Sequence, residues 1–438
     1  FAHHHPAALD LTANEIHSLS DQSLELLHVL TEDVEVKLFY SSKEPEFEVL
    51  RGYLDRYRSE SERFTFEFVD PIIHIDQVEK YKIKPSGPRI LLFSGGREER
   101  IKLGQPRFAG VEEALTTGLL KVTRRGPEET LCFLNGHGEM SLTRGDPQKS
   151  MSGWAQDLLS EGYRSEGLSL LEKNEVPANC RAVILAGAEK DLTAEELQAL
   201  TTFMSAGGEM MIFVGAQDSP SLKAWLLPLG IDLGLDTVIN PKTRAALNAV
   251  SDPSRYPRQH PIFSRFFKGG MVKLRALQAV FPLARSVAPT EQDKHAQVLA
   301  ATGPSAWAER DPIEGLEQLT FDAEKDGKGP VSLAAVAEIP TAADSVGQGS
   351  RLVVFGSSLL VSDQAYGVYP FNRDLVMNSL AWALQDESKI SIRPRYRDAS
   401  LLRLDEGQLK FITFFSSDIL PLLILALGIT IWQVRKWS

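Results

Sequence analysis

Short apolar segments of strand length alternate with amphipathic segments of helix length along most of this sequence, which restricts the fold to the α/β class. Within residues 34–125 the order is β-α-β-α-β-β-α, beginning with the strand VEVKLFY and the helix PEFEVLRGYLDRYRSES. The segments PRILLFSGG and REERIKLG predict a hairpin, because a Gly-Gly pair between two such segments favours a tight turn. The helix GVEEALTTGLLKVTR completes this first unit.

The order of elements in residues 34–125 resembles the thioredoxin fold, and the VDP after the second strand strengthens the resemblance. A thioredoxin redox site has two cysteines between the first strand and its helix, where the thiol pKa is lowered. Here the corresponding loop reads YSSKEPEF and contains no sulfur. We therefore expect a module without redox chemistry that docks other proteins.

A second alternation of strands and helices occupies residues 126–390 and predicts a doubly wound α/β domain. Strands that are followed by helices imply a mostly parallel sheet with both faces covered. The pattern weakens around 240–330, where proline and charge indicate loops and an antiparallel insertion, and it recovers at GPVSLAAVAEI and SRLVVFGSSLLVSD.

Two helices of this second domain have recognisable starting residues. Thr193, followed by Glu196 three residues later, predicts a capping box for the helix DLTAEELQALTTFMSAGG. In the segment NRDLVMNSLAWAL we expect Asn372 to be the N-cap. We expect Asp374 to lie in the first turn of that helix, where the helix dipole favours an acid.

Two groups of polar residues follow predicted strands of this domain, at the sheet edge where open α/β folds bind ligands. The segment NGHGE follows the strand TLCFL, and GSSLLVSD follows RLVVF. Together with two residues at the start of the last helix, they form a candidate surface for a ligand or a partner. Its members are Asn135, His137, Glu139, Ser357, Ser358, Asp363, Asn372 and Arg373.

The sequence offers little support for catalysis at this edge. A triad of Ser358, His137 and Asp363 or Glu139 would need a G-x-S-x-G elbow, and GSSLL lacks the second glycine. His137 and Glu139 are too few to form a metal site, and no phosphate-binding glycine motif opens a helix. We expect no catalytic residue, no metal and no cofactor. We expect His137 and Glu139 to hold the loop geometry or to contact a ligand or partner.

The two cysteines, Cys132 and Cys180, each lie within or beside an apolar, strand-like segment. We expect two buried thiols, and a disulfide in an oxidising compartment is the alternative. The formal net charge of −11 argues against a nucleic-acid partner, because the chain has no broad basic face to neutralise phosphates.

The C-terminal segment from Phe411 to Trp432 carries a single charge, Asp418, and is long enough to span a bilayer as a helix. We predict a transmembrane helix at 411–434, with an acid and a proline near its start and aromatic and cationic residues at its end. We expect the short tail at 435–438 to be cytoplasmic. The residues that would anchor this helix are Phe411, Asp418, Pro421, Leu425, Trp432, Arg435 and Lys436.

Several segments, taken in order, resemble the gliding-motility-associated ABC-transporter auxiliary proteins. They are DLTANEIHSLSDQSLELL, ALTTGLLKVTR leading into LCFLNGHGE, RLVVFGSSLLVSD, NRDLVMNSLAWAL and the C-terminal apolar stretch, so the resemblance covers nearly the whole chain. It implies a class I glutamine-amidotransferase-like (flavodoxin-like) α/β domain without the catalytic cysteine, related to a domain of intraflagellar-transport proteins. It also implies an extracytoplasmic region between two membrane spans, the first of them before Phe1, and partnership with an ABC permease and its ATPase.

From these features we expect a non-enzymatic, membrane-anchored auxiliary subunit of an ABC-type transporter, in the bacterial inner membrane with a periplasmic soluble region. Its expected partners are the permease, its ATPase, the lipid bilayer and further extracytoplasmic subunits. A ligand-binding sensor or adaptor and an amidotransferase-related hydrolase are the alternatives. The expected divisions are a juxtamembrane segment and entry helix (1–33), the thioredoxin-like module (34–125), the α/β domain (126–390), a linker (391–410), the membrane helix (411–434) and the tail (435–438).

Overall fold

The computed structural model describes residues 19–84, 87–103, 111–123, 129–171, 173–215, 217–241, 247–267, 274–290, 295–313, 319–340 and 349–386, together with Phe414 and Ser417. The chain divides into two compact units, Phe1–Arg395 and Tyr396–Ser438, and the sheets with the helices that cover them belong to the first unit. The membrane helix predicted at 411–434 lies outside the described residues, apart from Phe414 and Ser417. No helix within the described ranges has both the length and the apolar character needed to cross a bilayer.

The N-terminal module contains one four-stranded sheet with helices against it. Its elements are α1 (Asp21–His28), β1 (Val34–Leu38), α2 (Glu46–Glu60), β2 (Phe64–Phe68), α3 (Ile75–Lys80), β3 (Ile90–Ser94), β4 (Arg97–Ile101) and α4 (Val111–Thr123). The strand order is β2-β1-β3-β4, in which β1 and β2 are parallel and the other neighbours are antiparallel. The predicted order of strands and helices from β1 to α4 is therefore confirmed.

Local chemistry explains why these elements start and stop where they do. The β3–β4 hairpin turns at Gly95 and Gly96, which have φ values of +55° and +78°, as the predicted Gly-Gly turn requires. Helix α1 begins at the cap Ser20, whose hydroxyl accepts the backbone N–H of Ser23 at 3.3 Å. The Ser23 hydroxyl in turn donates to Glu112 Oε1 at 2.8 Å and joins α1 to α4 in the core of the module. Ser20 and Ser23 therefore have structural roles.

The α/β domain adds a seven-stranded sheet and four longer helices. Its main elements are β5 (Glu129–Leu134), α5 (Ser152–Ser160), β6 (Tyr163–Leu168), β7 (Cys180–Ala186), α6 (Ala194–Ser205), β8 (Glu209–Phe213) and α7 (Pro220–Leu226). The short strands β9 (Ile231–Leu233), β10 (Thr237–Ile239) and β11 (Asn248–Val250) follow, and then come α8 (Pro261–Ser264), β12 (Val280–Pro282), β13 (Val287–Pro289), β14 (Ala296–Ala301), β15 (Trp307–Glu309) and β16 (Gly327–Lys328). The domain closes with β17 (Ser332–Ile339), β18 (Ser350–Phe355) and α9 (Pro370–Ala383).

The large sheet has the order β14-β17-β18-β8-β7-β5-β6. The five strands from β18 to β6 are parallel. At one edge β17 runs antiparallel to β18, and β14 pairs antiparallel with β17 and so runs in the direction of the five, which confirms the prediction of a mostly parallel sheet. Its strands are apolar on both sides, because helices cover both faces. Helices α5 and α9 pack on one face, and α6 and α7 on the other.

Short antiparallel strands occupy most of the segment between β8 and β17, which we call the insertion. The pairs β9–β13, β10–β15, β11–β12 and β15–β16 are all antiparallel, and the strands are two or three residues long. The weak periodicity of this region is explained by their shortness, because so few residues cannot establish an alternating pattern. The insertion also returns one strand, β14, to the large sheet.

The prediction for the start of the last helix is wrong. Helix α9 begins at Pro370, with Tyr369 as its N-cap, because proline already has a helical φ and needs no hydrogen bond at the first position. Asn372 is inside the helix and fully buried, where its side chain accepts the N–H of Val280 at 2.8 Å and donates to the carbonyl of Val280 at 2.9 Å. Asp374 is buried and lies beyond the first turn.

The expectation of two buried thiols is also corrected. Cys132 in β5 and Cys180 in β7 are joined by a disulfide between neighbouring parallel strands, with their Cα atoms 5.5 Å apart. Both residues are buried, on the face of the sheet that α6 and α7 cover. Which strands are neighbours is a property of the fold, and the two apolar segments alone do not reveal it.

The buried His260 predicts a pH dependence of stability. Burial and the nearby positive charge of Arg351 lower the pKa of His260 to about 4, and its Nδ1 accepts the N–H of Ile262 at the start of α8. The unfolded chain binds this proton near pH 6.5, whereas the folded chain binds it only near pH 4. Stability present above pH 6.5 is therefore lost as the pH falls toward 4, by up to roughly 3 kcal/mol.

Urea unfolding of wild type and His260→Asn at pH 7 and pH 4.5 measures this effect. Asparagine retains a capping oxygen and does not titrate, so we expect the variant to lose less stability than wild type over this interval. Equal losses in the two proteins would contradict the assignment.

Candidate functional site: the carboxyl edge of the parallel sheet

The segment NGHGE lies at the point where the winding of the large sheet changes direction. Strand β6 pairs with one side of β5, and β7 pairs with the other side. The loops that follow β5 and β7 therefore separate at this point, and open α/β sheets commonly bind ligands in the resulting crevice. In this protein the crevice is occupied by side chains of the chain itself.

Two glycines give the loop after β5 its shape. Gly136 and Gly138 have φ values of +122° and +85°, which disfavour residues with a side chain. A Cβ atom on Gly138 would lie 3.0 Å from the side chain of Glu189, so the glycine also permits a close approach to the loop after β7. The carbonyl of His137 accepts the backbone N–H groups of Glu189 and Lys190 at 2.8 and 3.0 Å. The loop is a tight glycine turn fastened to its neighbour.

His137 lies between two carboxylates and is 4% exposed. Its Nδ1 is 3.2 Å from Glu139 Oε1, and its Nε2 is 3.1 Å from Glu196 Oε2. The other oxygen of Glu139 accepts the backbone N–H of His137 at 2.8 Å. Glu139 thus holds both the backbone and the ring of His137, and Glu196 holds the far side of the ring.

Glu196 has two structural roles. It completes the predicted capping box at the start of α6: its Oε2 accepts the N–H of Thr193 at 2.9 Å, and its own N–H donates to the Thr193 hydroxyl at 3.3 Å. The capping box is confirmed. The same oxygen faces His137, so the start of α6 is connected to the loop after β5.

Glu196 has one oxygen that is not used in these contacts. Its Oε1 is buried and has no hydrogen-bond partner among the described residues, which leaves one acceptor of the cluster unused.

The second predicted strand end is also engaged in internal contacts. The hydroxyl of Ser357 donates to the carbonyl of Pro282, and Ser358 is 8% exposed, with its N–H donating to the carbonyl of Val214. Asp363 caps the start of α5 by accepting the hydroxyls of Ser150 and Ser152 at 2.7 Å and the N–H of Gly153 at 2.8 Å. Burial raises the pKa of Asp363, but these hydrogen bonds outweigh it and leave the pKa below its usual value.

Arg373 connects the two modules. Its guanidinium contacts both oxygens of Asp157 in α5, at 2.6 and 2.8 Å, and Glu113 in α4, at 2.5 Å. Tyr366 donates its hydroxyl to the same carboxylate of Asp157 at 2.7 Å. Burial lowers the pKa of Arg373, but the two carboxylates more than compensate, and the pKa lies above its usual value.

The predicted residues therefore fall into separate groups. His137 and Glu139 are together, and Ser357, Ser358 and Asp363 follow β18 without making a hydrogen bond to His137. Asn372 and Arg373 bind an insertion strand and the N-terminal module respectively. Asn135 is exposed, and its backbone N–H donates to the carbonyl of Leu168 at 2.9 Å. No group of three metal-ligating side chains that could hold an ion is found in the described ranges.

Three residues matter here whose contacts no local sequence signal reveals. Glu196 is recognisable as a capping residue, but its contact with His137 depends on how the two loops meet. Glu113 and Asp157 are acidic positions on predicted helices, and nothing local marks them as partners of Arg373.

A polar cavity of about 260 Å³ opens beside the insertion, and it is lined by residues that include Asp218, Asp236, Arg285, Glu309 and Asp311.

The chain belongs to the family described as ABC-type uncharacterized transport system, whose model matches residues 128–379, more than half of the chain. This membership supports an auxiliary role in an ABC-type transport system. A second model, for a domain of unknown function (DUF7088), matches residues 13–89. A search of curated proteins finds no match.

Two solved structures show the degree of structural similarity. The mmIFT52 N-terminal domain is 18% identical with a TM-score of 0.43, and the match covers 58% of this chain and 97% of that one. A putative ThuA-like protein from Bacteroides uniformis is 12% identical with a TM-score of 0.37, over 59% and 93% of the two chains. Both TM-scores are below 0.5, so neither similarity supports a conclusion about this protein.

The geometry around His137 predicts that this residue stabilises the fold. His137→Ala would leave Glu139 and Glu196 buried without the ring that separates them, and we expect a loss of about 3 kcal/mol in the free energy of unfolding. The matched control is His74→Ala, because His74 is exposed and makes no side-chain cap bond, and it should change stability by less than about 0.5 kcal/mol. Urea denaturation measures both variants, and equal stability would refute the structural role.

Proposed function

We propose that this protein is a non-enzymatic auxiliary subunit of an ABC-type transporter, and that its α/β domains dock partner subunits or substrate. The observation that carries the proposal is the family match over residues 128–379, which covers most of the α/β domain. We propose more narrowly that the chain is one of the gliding-motility-associated ABC-transporter auxiliary proteins, which its sequence resembles.

The absence of catalysis is supported by how the best candidate residues are used. Both nitrogens of His137 face carboxylates, and among the described residues Ser358 makes no hydrogen bond to that ring, which supports the absence of the triad considered from the sequence. In the N-terminal module, which we propose to be thioredoxin-like, Glu44 in the loop after β1 forms an ion pair with Arg89, which directly precedes β3. Arg89 contacts both oxygens of Glu44 at 2.6 and 2.7 Å. Its hydrogen bonds lower the pKa of Glu44.

We further propose that the protein is anchored in the bacterial inner membrane by residues 411–434 and that Phe1–Arg395 lies on the extracytoplasmic side. The apolar C-terminal segment supports the anchor. The disulfide between Cys132 and Cys180 supports the location, because such bonds persist in oxidising compartments and are rare in the cytosol. On this proposal the lipid bilayer and other extracytoplasmic subunits are further partners.

Purification from native membranes tests the docking proposal. Extraction of the full chain in mild detergent should recover the permease and the ATPase of one ABC system in constant proportion to it. Recovery of the chain without either subunit, at detergent levels that keep a known ABC complex intact, would contradict the proposed function.

Thiol labelling tests the proposed location. In denaturant, the chain from intact cells should react with an alkylating reagent only after reduction, because its two cysteines are paired. Replacement of both cysteines by alanine should lower the free energy of unfolding by about 2–4 kcal/mol relative to the oxidised wild type. Labelling of both thiols before reduction would place Cys132 and Cys180 in a reducing compartment.

A further inference from the structure

Strand β6 lies at one end of the large sheet and, within the described ranges, pairs with β5 alone. The carbonyl of Leu168 accepts the N–H of Asn135, which follows β5, so the backbone groups of Leu168 face β5. Because successive residues of a strand direct these groups to opposite sides, Ser165 and Gly167 direct theirs away from the sheet. The outer side of β6 is therefore a template for one more strand.

The exposed side chains of β6 carry opposite charges. Arg164 and Glu166 are 64% and 37% exposed, and Arg164 Nε is 3.0 Å from Glu166 Oε1. They lie on the same face of the sheet, and Ser165 between them lies on the other face. Edge strands of natural proteins often carry a charge that repels a second strand. A strand with one charge of each sign, on either side of a central residue, is instead complementary to a reversed copy of itself.

The register of such a pairing follows from the backbone and the charges together. Antiparallel pairing centred on Ser165 joins the backbone groups that face away from β5, and it places Arg164 of each copy opposite Glu166 of the other. The nearest registers that keep the same backbone groups facing each other would place Arg164 opposite Arg164, or Glu166 opposite Glu166. Like charges directly opposite each other are destabilising, so the register centred on Ser165 is favoured.

Two exposed leucines flank the strand. Leu159, in the last turn of α5, lies shortly before β6, and Leu171 lies shortly after it, and each is 58% exposed. An antiparallel pair brings the segment before β6 in one copy beside the segment after β6 in the other. Leu159 and Leu171 would therefore lie at the same ends of the paired strands, where burial of their apolar surface adds to the contact.

We propose that β6 pairs with β6 of a second copy of this chain about a two-fold axis through Ser165, so that two seven-stranded sheets become continuous. A two-fold contact uses the same surface on both copies and is the commonest arrangement in homo-oligomers. Each Arg164 then lies beside two carboxylates, Glu166 of its own chain and Glu166 of the second copy. The inference goes beyond the proposed function, because it concerns two copies of this chain and does not depend on any transporter subunit.

The variant Ser165→Cys of the full chain, treated with a mild oxidant in intact cells, tests the pairing. Directly opposite residues of a hydrogen-bonded antiparallel pair have Cα atoms about 5.5 Å apart, which a disulfide can span. The new thiol lies on the other face of the sheet from Cys132, which is paired in register with Glu166, so exchange with the native disulfide is disfavoured. We expect a covalent homodimer. The matched control is Thr65→Cys, at an exposed position of the edge strand β2, and it should remain monomeric.

Charge substitutions in the Ser165→Cys chain test the identity of the partner. Arg164→Glu and Glu166→Arg should each lower the yield of covalent homodimer by at least about tenfold, because each places like charges opposite each other at both positions. Co-expression of the two variants with different tags should restore the yield as a mixed dimer, because one chain then carries two acids and the other two bases. Both variants should unfold at the wild-type temperature, because the side chains are at the surface.

A Ser165→Cys homodimer that both charge variants lose and that the co-expressed pair regains supports the proposal. A covalent product with a different protein, no product, or a yield that the charge variants leave unchanged overturns it. If a charge variant fails to fold, the comparison of Ser165→Cys with Thr65→Cys decides, and equal amounts of homodimer from these two chains contradict the pairing.

Discussion

The contact of Arg373 with Asp157 and Glu113 holds the described parts of the two modules together. Removing a guanidinium and two carboxylates from water is unfavourable unless each group finds partners, and here the guanidinium contacts both oxygens of Asp157 and one of Glu113. The arrangement joins α9, α5 and α4, so rotation of one module against the other would break these contacts. A second ion pair, between Arg265 and Glu25, fastens α1 to the insertion. These two contacts therefore hold the N-terminal module in a fixed orientation relative to the large sheet.

The carboxyl edge of the large sheet illustrates how a fold can keep its shape while its ligand crevice is closed. Glycines bring the loops after β5 and β7 close together, and the space between them is filled by His137, Glu139 and Glu196. Polar side chains at this edge, which in other proteins of the α/β class face a ligand, here face each other. Polar side chains are needed at this edge even without a ligand, because the loops and helix starts contain backbone N–H groups that require acceptors. Asp363 and Glu196 supply those acceptors.

The parts of the fold that depend on local signals could be predicted from the sequence. Alternation predicted the strands and helices of both modules, and Thr193 with Glu196 predicted a cap, because these signals involve residues that are adjacent or a few positions apart. Asn372 was assigned wrongly because its partner, Val280, is 92 residues away and Pro370 decides where the helix begins. Arg373 and Glu113 are separated by 260 residues, so their contact depends on the packing of the whole unit. The pairing of Cys132 with Cys180 depends on the strand order, which no single segment specifies.

The disulfide has a consequence for the outermost parallel strand of the sheet. The covalent loop that it closes contains helix α5 and strand β6, and within the part of the chain that the structure describes β6 pairs with the sheet through β5 alone. A protease that cuts the chain anywhere between Cys132 and Cys180 produces two ends that are still joined through sulfur. The cleaved chain does not separate into two pieces, so both pieces stay covalently linked after a single cut in this region as long as the disulfide is intact.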